Sequence, residues 1–201
     1  MKHAMKRFAL LLALLMLVQA FLVAPISAAE EVQDLVLSTG AAVTGLKDAF
    51  AGKFRVGLAI SAGEMRKTQV QQMAVTEYNS VTCENEMKPD STLDQSACQS
   101  RGNNVNTQVR LTDNARSILK FCEDNGIPMR GHVIAWYSQT PSWFFREGFT
   151  NNGAIVSKEV MDQRLESFIK NLFELIARDY PKLQIYAWDV CNEAFTDSNP
   201  S

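Results

Sequence analysis

The chain has 201 residues, and its 20 Lys and Arg against 22 Asp and Glu leave a formal net charge of −2. That balance supplies no field for a polyanion, so nucleic-acid binding is not expected. Hydrophobic residues make up 46% of the chain, the composition of an ordinary globular protein long enough for one domain with a core.

The N-terminus reads as an address. Lys2, Lys6 and Arg7 precede an almost continuous apolar run from Phe8 to Val23, and Ser27-Ala28-Ala29 offers small residues just before Glu30-Glu31. A basic head, an apolar stretch and a small-residue exit predict a secretory signal peptide over residues 1–29, hence a secreted, extracellular domain over 30–201. The alternative is an uncleaved anchor, but the run is short for a span of ~20 residues and is closed by Pro25. No later segment is apolar enough to cross a membrane, so no membrane partner is expected after cleavage.

Four β-rich apolar runs follow, each ending in polar residues: Phe54–Ile60, Tyr78–Cys83, Pro128–Trp136 and Leu183–Cys191. Helical patterns separate them. A weak one lies between Met65 and Glu77, with Val70, Met73 and Ala74. Thr112 or Asp113 can cap a second, in which Ala115, Ile118, Leu119 and Cys122 recur at three- and four-residue steps before Asn125-Gly126 and Pro128 stop it. The longest follows Ser157, with Met161, Leu165, Phe168, Ile169, Leu172 and Ile176 on one face and Pro181 beyond its end. Strict alternation of strand and helix predicts an α/β fold with a parallel sheet and right-handed crossovers. The Ser/Gln/Asn-rich stretch Asp94–Val109 breaks the rhythm and reads as an extended loop over a strand end, and Asn151-Asn152-Gly153 reads as a turn.

Cys83, Cys98, Cys122 and Cys191 show no CxxC spacing, which argues against a zinc site. Export permits a disulfide, but Cys83 and Cys191 both lie in strand-like runs. Buried thiols filling small core spaces are the expectation.

Polar residues gather after the strand-like runs. Glu84, Asn85 and Lys88 follow the second, offering an acceptor, an amide and an ammonium, the mixture a polyol requires. His132 and Trp136 lie in the third run and Gln139 just after it. Aromatic faces there suit the apolar faces of sugar rings, although a lone histidine or a tryptophan in such a run is commonly a core residue. Asn192 and Glu193 follow the fourth. A carboxyl at the end of an apolar strand is expected to be partly desolvated, which raises its pKa and suits a proton donor; a solvated glutamate opening a helix reads the same way in isolation. In a (β/α)₈ barrel, the C-terminal strand ends form the active-site face, and three successive units deliver polar groups to it here.

The stretches Tyr78–Thr82 with Glu84–Lys88, Arg130-Gly131-His132 with Trp136 and Ser138–Trp143, and Trp188–Glu193, in that order, resemble glycoside hydrolase family 10. The resemblance covers roughly Leu46 to Ala194. It implies a retaining endo-β-1,4-xylanase on a (β/α)₈ TIM barrel, of which only about the first four β/α units are present. Residues 30–201 are then the N-terminal half of the catalytic barrel. It further implies Glu193 as general acid/base, with Asn192 on the 2-hydroxyl of the sugar at the cleavage point and His132 and Trp136 lining that subsite. Glu84, Asn85, Lys88 and Gln139 would bind the next sugar on the non-reducing side. The substrate would be β-1,4-xylan or xylo-oligosaccharides, with no metal or organic cofactor, since two carboxylates suffice for the chemistry.

The family's nucleophile is a glutamate near the end of the seventh strand, and the sequence stops after the fourth, whereas a barrel takes about 250 residues. The nucleophile is therefore expected beyond residue 201, and the chain alone is expected to be inactive. Glu84 lies on the right face, but its motif matches sugar binding. A half barrel would expose two sheet edges and favour self-association. Tyr137 stands where the family usually has histidine. A related β-1,4-glucanase and a non-catalytic carbohydrate-binding fragment are the competing readings, and a purely structural secreted domain would bind no saccharide.

Overall fold

The computed structural model describes residues 45–195; the signal peptide expected over 1–29 lies outside them. The elements in chain order are α1 (Leu46–Ala49), β1 (Gly57–Ile60), α2 (Ala62–Met65), α3 (Thr68–Glu77), β2 (Ser80–Cys83), α4 (Pro89–Thr92), α5 (Gln95–Ser100), α6 (Asp113–Asp124), β3 (Met129–Ala135), α7 (Lys158–Asp179) and β4 (Ile185–Cys191). Two 3₁₀ turns, Ser142–Phe145 and Glu147–Phe149, lie between β3 and α7. The four strands form one parallel sheet in the order β1-β2-β3-β4. This is the expected series of β/α units, a partial barrel with its strand ends pointing one way.

Each boundary has a local cause. Thr112, not Asp113, caps α6 by accepting from the Ala115 N–H, and Ser157 caps α7 by accepting from Val160. The first strand begins three residues later than its apolar run because the Val56 N–H is taken by the Asn79 side chain at 2.8 Å instead of by a sheet neighbour. Asp94–Val109 is not an extended loop throughout. Asp94 caps α5 by accepting from Ala97, and Leu93 and Val109 close the segment's base in an antiparallel bridge. Its polar composition hid a helix whose one buried residue is Cys98.

The core lies between the sheet and the helices. Ile60, Val81, Cys83 and Met129 meet Ile118 and Leu119 from α6 and Phe168, Leu172 and Ile176 from α7. Each fully buried side chain of this size contributes roughly 1.5–3 kcal/mol. Three cysteines fill core spaces as expected, and all four are free thiols. Burial pushes the Cys122 thiol up to about 12 and Cys83 well above its ordinary value. Cys191 departs from the expectation: it is exposed, at the end of a strand that has no further neighbour among the described residues. A thiol-reactive dye should therefore label Cys191 first in the native protein and the other three only on denaturation; simultaneous labelling would contradict this burial.

Gly131 is required by packing. A Cβ there would lie 2.2 Å from Cδ2 of Trp188, whose ring stacks on Phe173 at 5.1 Å. Gly131→Ala should lower unfolding stability by about 1–3 kcal/mol as β3 and β4 are forced apart. Urea denaturation measures the loss, and an unchanged midpoint would show that the indole moves aside without penalty. Among the described residues, no helix is long and apolar enough to cross a membrane.

Candidate active site

The parallel sheet brings the segments after β2, β3 and β4 to one edge. Lys88 stands just before α4 and is buried despite its charge, at 8% exposure. Its Nζ donates to Asn85 Oδ1 at 3.0 Å and to Gln139 Oε1 at 2.8 Å, and it lies 4.8 Å from the centre of the Trp136 ring. A buried ammonium needs such partners, because taking a charge out of water without hydrogen bonds is costly. The indole Nε1–H of Trp136 in turn donates to Glu193 Oε2 at 2.7 Å. Asn85, Lys88, Gln139, Trp136 and Glu193 thus form one connected chain of contacts.

Glu193 itself differs from the expectation in one respect. Its carboxylate is exposed, not partly desolvated: β4 is the last strand of the described sheet, and among the described residues no element lies across from it on that side. Its backbone sits at φ 51°, in the left-handed region that non-glycine residues seldom occupy. Such strain, of order 1 kcal/mol or more, gathers at functional sites. The Asn192 N–H donates to Ala135 O at 3.0 Å and ties this turn to the end of β3. Register shifts in the β3–β4 ladder, between His132 and Ala135, re-aim the chain just before Trp136.

His132 stands further down the strand and joins a different cluster. Its Nδ1 lies 3.0 Å from Asp189 Oδ2, and Arg130 Nε donates to Asp189 Oδ1 at 3.0 Å, with Nη2 on the same oxygen. A carboxylate on Nδ1 favours the tautomer that carries its proton there and fixes the ring's orientation. Glu84 and Asn85 are exposed at the end of β2, and Glu84 takes no part in the contact chain. Glu86 is buried and accepts from the Ala62 and Asn85 N–H groups at 2.7 and 3.1 Å, pinning the loop after β2 to α2. Trp143, at the end of the Ser138–Trp143 stretch, packs edge-on to Phe144 and Phe149 in the core.

Sequence reading passed over Asp189, Arg130 and Glu86 as site residues. Their signal was present for Asp189: an ionisable residue inside an otherwise apolar strand needs a buried partner. The Arg130 guanidinium beside it, and after it His132, hold the Asp189 carboxyl below its ordinary range against the upward push of partial burial. A carboxylate with a depressed folded pKa contributes stability that is fully present above its unfolded pKa and is lost as pH falls through the folded value. Asp189→Asn should therefore flatten the acid limb of the stability profile below about pH 4. Thermal melts of both proteins from pH 2 to 7 test this, and parallel profiles would remove Asp189 from the acid-labile set.

A cavity of about 460 Å³ opens beside the site. Trp136, Tyr137 and Glu193 line it together with the apolar Phe145, Met161 and Leu165. Tyr137 is 71% exposed, with its ring edge-on to Trp136. Among the described residues there is no cluster of side chains able to hold a metal ion.

The family model for Glycosyl hydrolase family 10 matches residues 45–201. Among curated proteins, the bifunctional endo-1,4-beta-xylanase XylA of Ruminococcus flavefaciens is 54% identical over 153 residues, covering 76% of this chain and 16% of its own. Endo-1,4-beta-xylanase Y of Acetivibrio thermocellus is 51% identical over 153 residues, covering 76% and 14%. Among solved structures, the CBM22-1–GH10 modules of Clostridium thermocellum endo-1,4-beta-D-xylanase 10B, complexed with xylohexaose, superpose with a TM-score of 0.73 at 49% identity. That match covers 79% of this chain and 30% of the other. The intracellular xylanase TsXylA of Thermoanaerobacterium saccharolyticum gives 0.62 at 26% identity, with coverage of 78% and 45%. The chain therefore spans less than half the length of each of these four relatives.

Proposed function

The chain belongs to glycosyl hydrolase family 10, and from that premise we propose that it forms the acid/base half of a secreted endo-β-1,4-xylanase. The observation that carries this reading is the contact between Trp136 Nε1 and Glu193 Oε2 at 2.7 Å, beside the Lys88–Asn85–Gln139 cluster on the same strand-end face. In the proposed reaction, Glu193 gives its proton to the glycosidic oxygen as a second carboxylate attacks the anomeric carbon. As a carboxylate, it then takes a proton from the water that releases the sugar with retained configuration. The Trp136 N–H holds Glu193 Oε2 in place, and the Lys88 ammonium lies against the other side of the contact chain, on the Trp136 ring. Asn192 holds the 2-hydroxyl at the cleavage point, and His132 and Trp136 line that subsite. Glu84, Asn85, Lys88 and Gln139 hold the neighbouring xylose.

Retention needs the two carboxyl groups about 5–5.5 Å apart. A nucleophile outside this chain is part of the proposal, and the partial coverage of the solved relatives, 30% and 45% of their length, is consistent with it. The test joins this chain to the C-terminal half of the catalytic domain of the 51% identical Acetivibrio thermocellus enzyme. The chimera should release reducing sugar from β-1,4-xylan with the β-anomer as first product, and the chain alone should bind xylohexaose without cutting it. Release by the chain alone would refute the missing-nucleophile reading. No binding and an inert, folded chimera would refute the xylanase reading. Export is tested by the N-terminus of the protein recovered from medium, expected at Glu30.

A further inference from the structure

Lys88 is buried, yet none of the ion pairs among the described residues includes it. Its two hydrogen-bond partners are the amide oxygens of Asn85 and Gln139. An ammonium only donates, so the Gln139 amide must turn its oxygen toward Lys88 and its NH₂ the opposite way. On that opposite side stands Asp90, whose Oδ2 accepts from Gln139 Nε2 at 3.3 Å. The Asp90 backbone N–H also donates to the Gln139 main-chain oxygen at 3.0 Å. The two residues are therefore clasped twice, once through the backbone and once through the side chains.

We infer that Asp90 is a positioning residue: its carboxylate locks the Gln139 amide in the orientation that completes the cradle of Lys88. This rests on the proposed sugar-binding role of that cluster and extends it to a residue outside it. Without the Asp90 acceptor the amide keeps its place, because the backbone bond remains, but loses one of the two partners that oppose its rotation and is left with Lys88 alone. A flipped amide would present NH₂ to the ammonium, and the polar pattern offered to a sugar hydroxyl would invert. The carboxylate also supplies negative charge one amide away from the unpaired Lys88. The line runs on through the Trp136 ring to Glu193, so the rotamer of one glutamine is coupled by contact to the acid/base group.

The test uses the full chain and two variants. Asp90→Ala removes the acceptor; Asp90→Asn keeps an acceptor oxygen without the charge. The first readout is the side-chain amide resonance pair of Gln139 in a ¹⁵N spectrum, assigned by its loss in Gln139→Leu. Asp90→Ala should shift or broaden that pair and weaken xylotriose binding by about 3–10-fold, the loss of one to two weak hydrogen bonds, with an unchanged melting temperature. Asp90→Asn should restore the resonances and hold affinity within about 2-fold, as one neutral acceptor replaces another. Unchanged Gln139 resonances in Asp90→Ala, or an Asn variant that behaves like the Ala variant, would overturn the inference. A wild-type chain that binds no xylotriose would instead sink the xylanase reading, while the Gln139 resonances would still decide the role of Asp90.

Discussion

Replacing Glu193 by glutamine in the assembled barrel is expected to cut xylan hydrolysis by about 10²–10⁴-fold, the usual worth of a positioned general acid/base. Glutamine keeps the size of the side chain, and its carbonyl oxygen can still accept from Trp136 Nε1, so the 2.7 Å contact need not be lost. What disappears is the transferable proton. Binding of xylohexaose should therefore stay within about 3-fold, since one neutral hydrogen bond to the indole replaces a charged one. The leaving group makes the prediction sharper. An aryl xylobioside with an acidic phenol needs no proton to depart, so its first step should be largely spared, while the second step, which requires a base to activate water, stays slow. A burst of phenol followed by slow turnover is the expected trace, and added azide, a nucleophile that needs no base, should speed that turnover. A uniform loss on both substrates together with lost binding would mean that Glu193 shapes the site without transferring protons.

How much of this was legible in the residues depends on whether a neighbour in sequence or a neighbour in space sets the outcome. The four strands and the two long helices could be read because local patterning and local caps, Thr112 and Ser157, act within a few residues. The parallel order followed from alternation alone. The pairing of Trp136 with Glu193 could not be read, since 57 residues separate the two and only the ladder between β3 and β4 brings them together. Helix α5 was missed because its Gln and Ser residues carry almost no apolar period; the Asp94 cap was the available signal. The exposure of Glu193 and Cys191 belongs to the same class of nonlocal fact. Desolvation was expected from the apolar strand before them, but burial at a strand end is decided by the next element across.

Arg164 carries the second large expected effect, and its signal was in plain view. It lies four residues before Phe168 on the stripe that continues through Leu172 and Ile176, and all four are buried. A charged residue in register with a core face must have found internal partners. Nε donates to Asn104 O at 2.7 Å, Nη2 to Asn104 Oδ1 at 2.5 Å, and Nη1 to Phe144 O at 2.6 Å and Arg146 O at 3.0 Å. The guanidinium also lies 3.8 Å from the centre of the Phe149 ring, at a residue held at φ 55°. Burial lowers its pKa from the ordinary value, but arginine titrates so far above neutrality that the charge remains. One side chain thus satisfies the carbonyls of the loop between β3 and α7 and ties it to the loop after α5, while Gln95 and Gln99 both donate to Phe149 O at 2.8 and 2.9 Å. Arg164→Met should cost about 3–5 kcal/mol, because several buried acceptors lose their donors at once. That is a large part of the ~5–15 kcal/mol that holds a typical domain together. Arg164→Lys should recover little, since an ammonium cannot reproduce the planar fork. In a double-mutant cycle with Asn104→Ala, the two losses should fall short of additivity by about 1 kcal/mol or more. Additive losses would show that Arg164 stabilises α7 by packing alone, with the loop anchored independently of it.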